Sequence, residues 1–104
     1  MGRNYYTENE VVLCTYAALY DDNDFGGRSV ICSLTERGLS SIDSKIRNIV
    51  ATLDKKGVSR FNTVSPLTGR TTGEPARDTN WDIIEPLTKM SQQALLQRCS
   101  TILG

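Results

Sequence analysis

Arg47 and Asn48 are the residues of this sequence whose types and position best suit the reading of bases. A guanidinium pairs with guanine and a carboxamide with adenine through two hydrogen bonds each, and a good pair contributes about 1–3 kcal/mol of discrimination. Ser40 and Ser41 lie upstream, where small hydroxyl side chains and helix-start amides suit a phosphate oxygen. Ser44 shares their side of a helical wheel. The segment predicts a surface for duplex DNA, with an ordinary amphipathic surface helix as the alternative.

Basic side chains around this segment would attract a nucleic-acid backbone whatever its sequence. Lys and Arg balance Asp and Glu at 12 each, but residues 28–77 hold nine basic against four acidic side chains, a local charge of +5. The candidates near the segment are Arg37, Lys45, Lys55, Lys56 and Arg60. A second candidate surface is the wing-like loop at 65–77, where Arg70 and Arg77 flank hydroxyl residues and glycines. Ordinary charge variation and a solvated loop without a partner are the alternatives.

A helix is needed to present these side chains, and the apolar spacing predicts one. Apolar residues recur at offsets of 0, 4, 7, 8 and 11, as in the buried stripe of a helix: Ile42, Ile46, Ile49, Val50 and Leu53. This third helix is predicted to open at Ser40, with Asp43 completing a capping box, and to close near Lys55 and Lys56. A second helix over 28–35 precedes it and buries Val30, Ile31 and Leu34.

The turn over residues 36–39 joins these two helices. Gly38 is predicted to adopt a left-handed backbone conformation there, because glycine does so without steric cost. Leu39 is predicted to fill the space between the helices. Two helices joined by such a turn form a helix-turn-helix, in which the second helix can enter the major groove.

The other elements complete a single domain over residues 1–104. A capping box at Thr7 and Glu10 predicts a first helix over 8–20, and Ser91 is predicted to cap a last helix over 92–103 that buries Leu95, Leu96 and Ile102. Between them, Pro86 is predicted to break any helix while neighbouring apolar residues dock on the core: Trp81, Ile83, Ile84 and Leu87. The predicted fold is mainly α, a helix-turn-helix domain of about four helices with or without a wing, with its core at 5–60, a wing-like loop at 61–80 and a C-terminal helix at 91–103.

The composition argues against catalysis and against a bound metal or cofactor. The chain has no histidine, so it lacks Ser-His and Cys-His nucleophile pairs and His-ligated metals. Its three cysteines are far apart, and Cys14 and Cys32 are interpreted as reduced core residues. The acidic run over 21–24 is interpreted as a solvated turn. No apolar stretch suits a membrane span or a signal peptide, so we expect a cytoplasmic protein.

The residue pattern also resembles a known module. The resemblance rests on Tyr6-Thr7-Glu8 before the first helix, and then on Leu34-Thr35-Glu36-Arg37-Gly38-Leu39-Ser40-Ser41-Ile42 with Lys45-Ile46-Arg47-Asn48-Ile49. Over residues 5–60 this resembles the helix-turn-helix domain N-terminal to the nuclease domain of some bacterial and phage HNH endonucleases, although Gly38 stands where that family commonly has Ser. The resemblance implies DNA binding, in some members with sensing of modified bases. The metal-binding histidines of the nuclease half have no counterpart here.

The sequence therefore favours a non-catalytic module that binds duplex DNA as a monomer or homodimer. The alternative is a small phage-type protein-interaction module that inhibits a host nucleic-acid machine through the same face. A third reading is oligomerisation through the last helix.

Overall fold

The computed structural model describes residues 7–59, 61 and 80–104, and all regular structure in those ranges is helical. Five α-helices and one 3₁₀ helix follow in order: α1 (Glu8–Leu19), the 3₁₀ helix (Asp22–Phe25), α2 (Arg28–Thr35), α3 (Leu39–Lys55), α4 (Trp81–Thr88) and α5 (Gln92–Leu103). The domain is thus small and all-α, as the sequence predicts. Most of the proposed wing lies outside the described residues.

Helix α1 is the centre of the domain. It begins at the predicted capping box, in which the Glu10 amide donates to Thr7 Oγ1 at 3.2 Å and the Thr7 amide donates to Glu10 Oε1 at 2.6 Å. Residues 10–19 are all buried, and α2, α3, α4 and α5 each pack against α1. A helix that is apolar on every side needs such an enclosure, because no face of it can be left to water.

Helix α3 confirms the prediction on which the sequence analysis depends most. Its apolar stripe is completely buried: Ile42, Ile46, Ile49, Val50 and Leu53. The stripe packs α3 against α1, and α2 packs on α3 as well.

The turn between α2 and α3 differs from the prediction in its backbone. Glu36, not Gly38, takes the left-handed conformation (φ 58°) and so ends α2, while its amide still donates to the Cys32 carbonyl at 2.8 Å. Gly38 is extended (φ −70°) and is the N-cap of α3. The predicted capping box of Ser40 and Asp43 is therefore wrong: the N-cap lies two residues before Ser40, and the Asp43 carboxylate faces Arg28 instead.

Two leucines near this turn are more exposed than predicted. Leu39 is 60% exposed and does not fill the space between the helices. Leu34 is 45% exposed rather than buried. The core beneath the turn is closed instead by Ile31 and Ile42, both without accessible surface.

Helix α4 contains Pro86, which is predicted from the sequence to break any helix here, and that prediction is wrong. Pro86 lies in the last turn of the eight-residue helix. Its missing amide would have bonded the Asp82 carbonyl, and both residues are exposed, so the loss falls on the solvent side. Ile84 and Leu87 are buried as predicted, and Ser91 caps α5 by accepting from the Ala94 amide at 3.1 Å.

Candidate nucleic-acid interface

The side of α3 opposite its apolar stripe forms a surface that we call the outer face, made of Ser40, Ser41, Ser44, Arg47 and Asn48. The three serines are exposed, and Arg47 and Asn48 are partly exposed. Because the buried stripe fixes the rotation of α3 on the domain, the same packing that builds the core presents the three serines and Arg47 outward and leaves Asn48 partly exposed. The N-terminal half of the outer face is the more open half.

The beginning of α3 is open to close approach. Gly38 makes no side-chain cap, and a Cβ atom placed on it would meet nothing within 4 Å. The amides of a first helical turn carry partial positive charge and lack intrahelical acceptors. The Gly38 position therefore has room for a small group, and helix-start amides of this kind are a common binding place for phosphate oxygens.

Arg47 belongs to a charged cluster that spans two helices, composed of Arg28, Asp43 and Arg47. Arg28 Nη1 donates to Asp43 Oδ1, and Arg47 Nη1 lies 4.0 Å from Asp43 Oδ2. Arg28 Nε is also 3.5 Å from Asp22 Oδ2. All these side chains are partly exposed. Sequence reasoning missed Arg28, because no spacing rule connects the first residue of α2 with the first turns of α3.

Arg37 is turned towards the core rather than towards the outer face. Its Nε donates to Glu10 Oε2 at 2.7 Å and its Nη2 donates to Glu10 Oε1 at 3.2 Å, a two-bonded pair whose side chains are only 15% and 8% exposed. Burial raises the pKa of the Glu10 carboxyl, but the bonds and charge of Arg37 and the bond from the Thr7 amide outweigh it, so the pKa lies below its ordinary value of 4.5. Arg37 thus ties the α2–α3 turn to the start of α1.

Lys45 is buried as well. Its Nζ donates to Asn80 Oδ1 at 2.7 Å, which connects α3 to the residue preceding α4. This burial lowers the pKa of the Lys45 ammonium. The outer face accordingly has less positive charge than the sequence alone indicates.

Asn48 is a weaker candidate for base contacts than Arg47. Its Oδ1 is buried and has no hydrogen-bond partner among the residues that the structure describes. A two-bonded contact with adenine needs both the oxygen and the nitrogen of the carboxamide, so Asn48 would have to reorient its amide to make one.

The remaining predicted contacts are distant from the start of α3. Lys55 and Lys56 are exposed at its C-terminal end, where Lys56 Nζ lies 5.2 Å from the centre of the Trp81 ring. Arg70 and Arg77 lie outside the described residues, as does Arg60. The structure therefore brings the three serines, Arg47 and Asn48 together on one surface and directs Arg37 and Lys45 elsewhere.

The acidic run after α1 has structural partners. Asp21 Oδ1 accepts from the Asn23 amide at 2.9 Å, and Asp24 Oδ2 accepts from the Tyr16 hydroxyl at 2.5 Å. Within residues 7–59, 61 and 80–104, no three His, Cys, Asp or Glu side chains are grouped to hold a metal ion.

The cysteines are free thiols in the core region. Cys14 and Cys99 are buried and Cys32 is partly buried. Burial raises the pKa of the Cys14 and Cys99 thiols to about 12, so both are protonated at neutral pH. This agrees with the interpretation of Cys14 as a reduced core residue.

No protein-family model, curated protein or solved structure matches the chain. The described residues form a small all-α domain in which α2, a three-residue turn and α3 follow one another. In the part of the chain that the structure describes, no helix combines the length and apolar character required to cross a bilayer. The resemblance to the N-terminal domain of HNH endonucleases stays a prediction.

Proposed function

We propose that this domain binds duplex DNA through the outer face of α3. The observation that carries the proposal is the division of α3 into a completely buried apolar stripe and an opposite face whose serines and Arg47 remain accessible. A rigidly packed helix with small residues at its start and a guanidinium two turns later fits the dimensions and chemistry of a major groove.

The number of basic side chains at the surface determines how strongly DNA binding is expected to depend on salt. Arg37 pairs with Glu10 and Lys45 bonds Asn80 inside the domain. Of the basic residues that the sequence predicts to contact DNA, those described near the surface are therefore Arg47, Lys55 and Lys56. Arg47 is assigned to a base contact, so about two phosphate contacts, from Lys55 and Lys56, give a slope of about −2 in a plot of log affinity against log salt concentration. The non-specific attraction is therefore modest, and selectivity depends on the outer face.

Replacing Arg47 by alanine is expected to reduce the preference between duplexes by about 1–3 kcal/mol, because one two-bonded base contact is lost. The measurement is competition between selected and random duplexes in a gel-shift assay. The double variant Arg47→Ala/Asn48→Ala is expected to remove the remaining preference, while the melting temperature stays close to that of the unmodified chain. Lys89→Ala, an exposed residue after α4, is the control and leaves the preference unchanged. Equal selectivity in all variants would contradict the role assigned to Arg47.

A second candidate function is protein binding through the same surface. It is favoured by the exposure of Leu39 and Leu34 on either side of the turn, because apolar side chains at a surface gain most from burial against another protein. The dependence of binding on salt concentration distinguishes the two functions. DNA binding weakens as salt rises with the slope given above, whereas an interface held by apolar burial changes little. The gel-shift assay is therefore performed at two salt concentrations.

A further inference from the structure

A cleft of about 340 Å³ lies where the start of α1, the end of α2 and the last turn of α5 meet. Its lining combines polar and apolar side chains: Thr7, Asn9, Glu10, Leu34, Thr35 and Ile102. Leu34 is 45% exposed, although it lies one turn after the completely buried Ile31. The volume is at the lower end of the range for ligand sites, about 300–1,000 Å³, so the cleft suits a small group rather than a large ligand.

The residues around the cleft include one carboxylate that no guanidinium group balances. Glu10 is paired with Arg37, whose Nε lies 2.7 Å from its Oε2, and Glu8 is paired with Arg98 at 2.8 Å. Glu36, the residue that ends α2, is exposed and has no ion pair with the described residues. One negative charge therefore remains at the α2 side of the cleft.

The helix ends at the cleft add to this negative charge. α2 ends at Thr35, and Ile102 lies in the last turn of α5. The last carbonyls of a helix carry partial negative charge, which favours a cation nearby. In the described part of the chain, the last turns of α2 and α5 hold no basic residue. The start of α1 has the opposite polarity and offsets only one of these two ends.

We propose that the cleft binds a peptide segment of a partner protein in which Lys or Arg follows an apolar side chain. The apolar side chain packs against Leu34 and Ile102, and the cation faces Glu36 and the end of α2. The hydroxyl of Thr7 and the carboxamide of Asn9 can hydrogen-bond to the peptide groups beside that side chain. The described lining residues all lie outside the outer face of α3, so the inference goes beyond the proposed function and does not depend on it.

The probe is N-acetyl-leucyl-lysinamide, a blocked dipeptide with one apolar side chain and one positive charge. It is titrated into the complete chain at low salt, and the methyl resonances of Leu34 and Ile102 are followed by NMR. Both are expected to shift together and to saturate with a dissociation constant of about 1 mM, because a ligand of this size gains little contact area. N-acetyl-alanyl-lysinamide is expected to bind about tenfold more weakly, since it buries less apolar surface.

The charge preference is tested by removing the charge from the probe and from the protein in turn. N-acetyl-leucyl-glutaminamide, which is uncharged, is expected to bind the unmodified chain about three- to fivefold more weakly than the lysine probe. Glu36→Gln is expected to abolish this difference by weakening the lysine probe alone. Glu85→Gln, which removes a carboxylate at an exposed position of α4, is the matched control and leaves the difference in place.

The position of the site is tested with two leucines on either side of the α2–α3 turn. Leu34→Ala is expected to weaken the lysine probe about five- to tenfold, as followed at Ile102. Leu39→Ala, at a leucine that is 60% exposed and does not line the cleft, is expected to change the affinity by less than about twofold.

Three outcomes overturn the inference: the lysine probe causes no saturable shift, the two leucine variants lose equal affinity, or the two leucyl probes bind the unmodified chain equally well. A duplex that shifts the Leu34 and Ile102 resonances in place of the peptide overturns it as well, because the occupant is then nucleic acid. Leu34→Ala is expected to leave duplex binding unchanged, so peptide binding and DNA binding can fail separately.

Discussion

Leu13→Ala is expected to lower the free energy of unfolding by about 3–5 kcal/mol, the range found when a buried leucine leaves a cavity. Leu13 has no accessible surface and lies in the middle of α1, which four other helices enclose. A cavity at the centre of such an arrangement closes poorly, because movement of one helix towards it disturbs the packing of the others. Chemical denaturation followed by circular dichroism measures the change.

The matched control is Leu39→Ala, the same substitution at a leucine that is 60% exposed. It is expected to change the free energy of unfolding by less than about 0.5 kcal/mol, as surface substitutions usually do. Since domains of this size are stable by about 5–15 kcal/mol, the loss at Leu13 is a large fraction of the total. Similar effects at the two positions would contradict the assignment of α1 as the central helix.

Arg37→Met is expected to lower the free energy of unfolding by about 3 kcal/mol, because it leaves the Glu10 carboxylate buried without its cation. Arg37 donates two hydrogen bonds to Glu10, and Glu10 is 6% exposed. The loss also releases the α2–α3 turn from the start of α1. Arg98→Met, which breaks the exposed pair with Glu8, is the control and is expected to cost less than about 1 kcal/mol.

The pH dependence of the free energy of unfolding is an independent test of the Glu10–Arg37 ion pair. The folded-state pKa of Glu10 is lower than its unfolded value of about 4.5, so its contribution is fully present above that pH and is lost as pH falls through the folded-state pKa. Arg37→Met removes the main cause of the lowered pKa. The unmodified chain is therefore expected to lose more stability than Arg37→Met on acidification below pH 4.5. Parallel acid profiles for the two proteins would contradict an ion pair at this position.

Leu13→Ala and Arg37→Met both change parts of the structure that hold the outer face in place. Leu13 belongs to the helix on which α3 packs, and the Glu10–Arg37 pair ties the turn before α3 to the same helix. Arg47→Ala, in contrast, removes a side chain from the surface without changing that support. Effects on stability and on DNA preference are therefore expected to separate between the two groups of variants.

The sequence by itself determined the elements that depend on neighbours three or four residues apart. The capping box of Thr7 and Glu10, the cap at Ser91 and the apolar stripe of α3 are all correctly predicted, because helical periodicity and capping are properties of short segments. The stripe also determined which side of α3 faces outward. The position of the serines and of Arg47 at the surface follows from it.

The tertiary structure alone decided which charges remain available to a ligand. Arg37 and Glu10 are 27 residues apart, Lys45 and Asn80 are 35 apart, and Arg28 and Asp43 are 15 apart. Spacing within one helix cannot anticipate such pairs, because they form only when separate helices pack against a common core. The physical reason is that apolar periodicity is local, whereas the pairing of charges depends on the whole arrangement of helices.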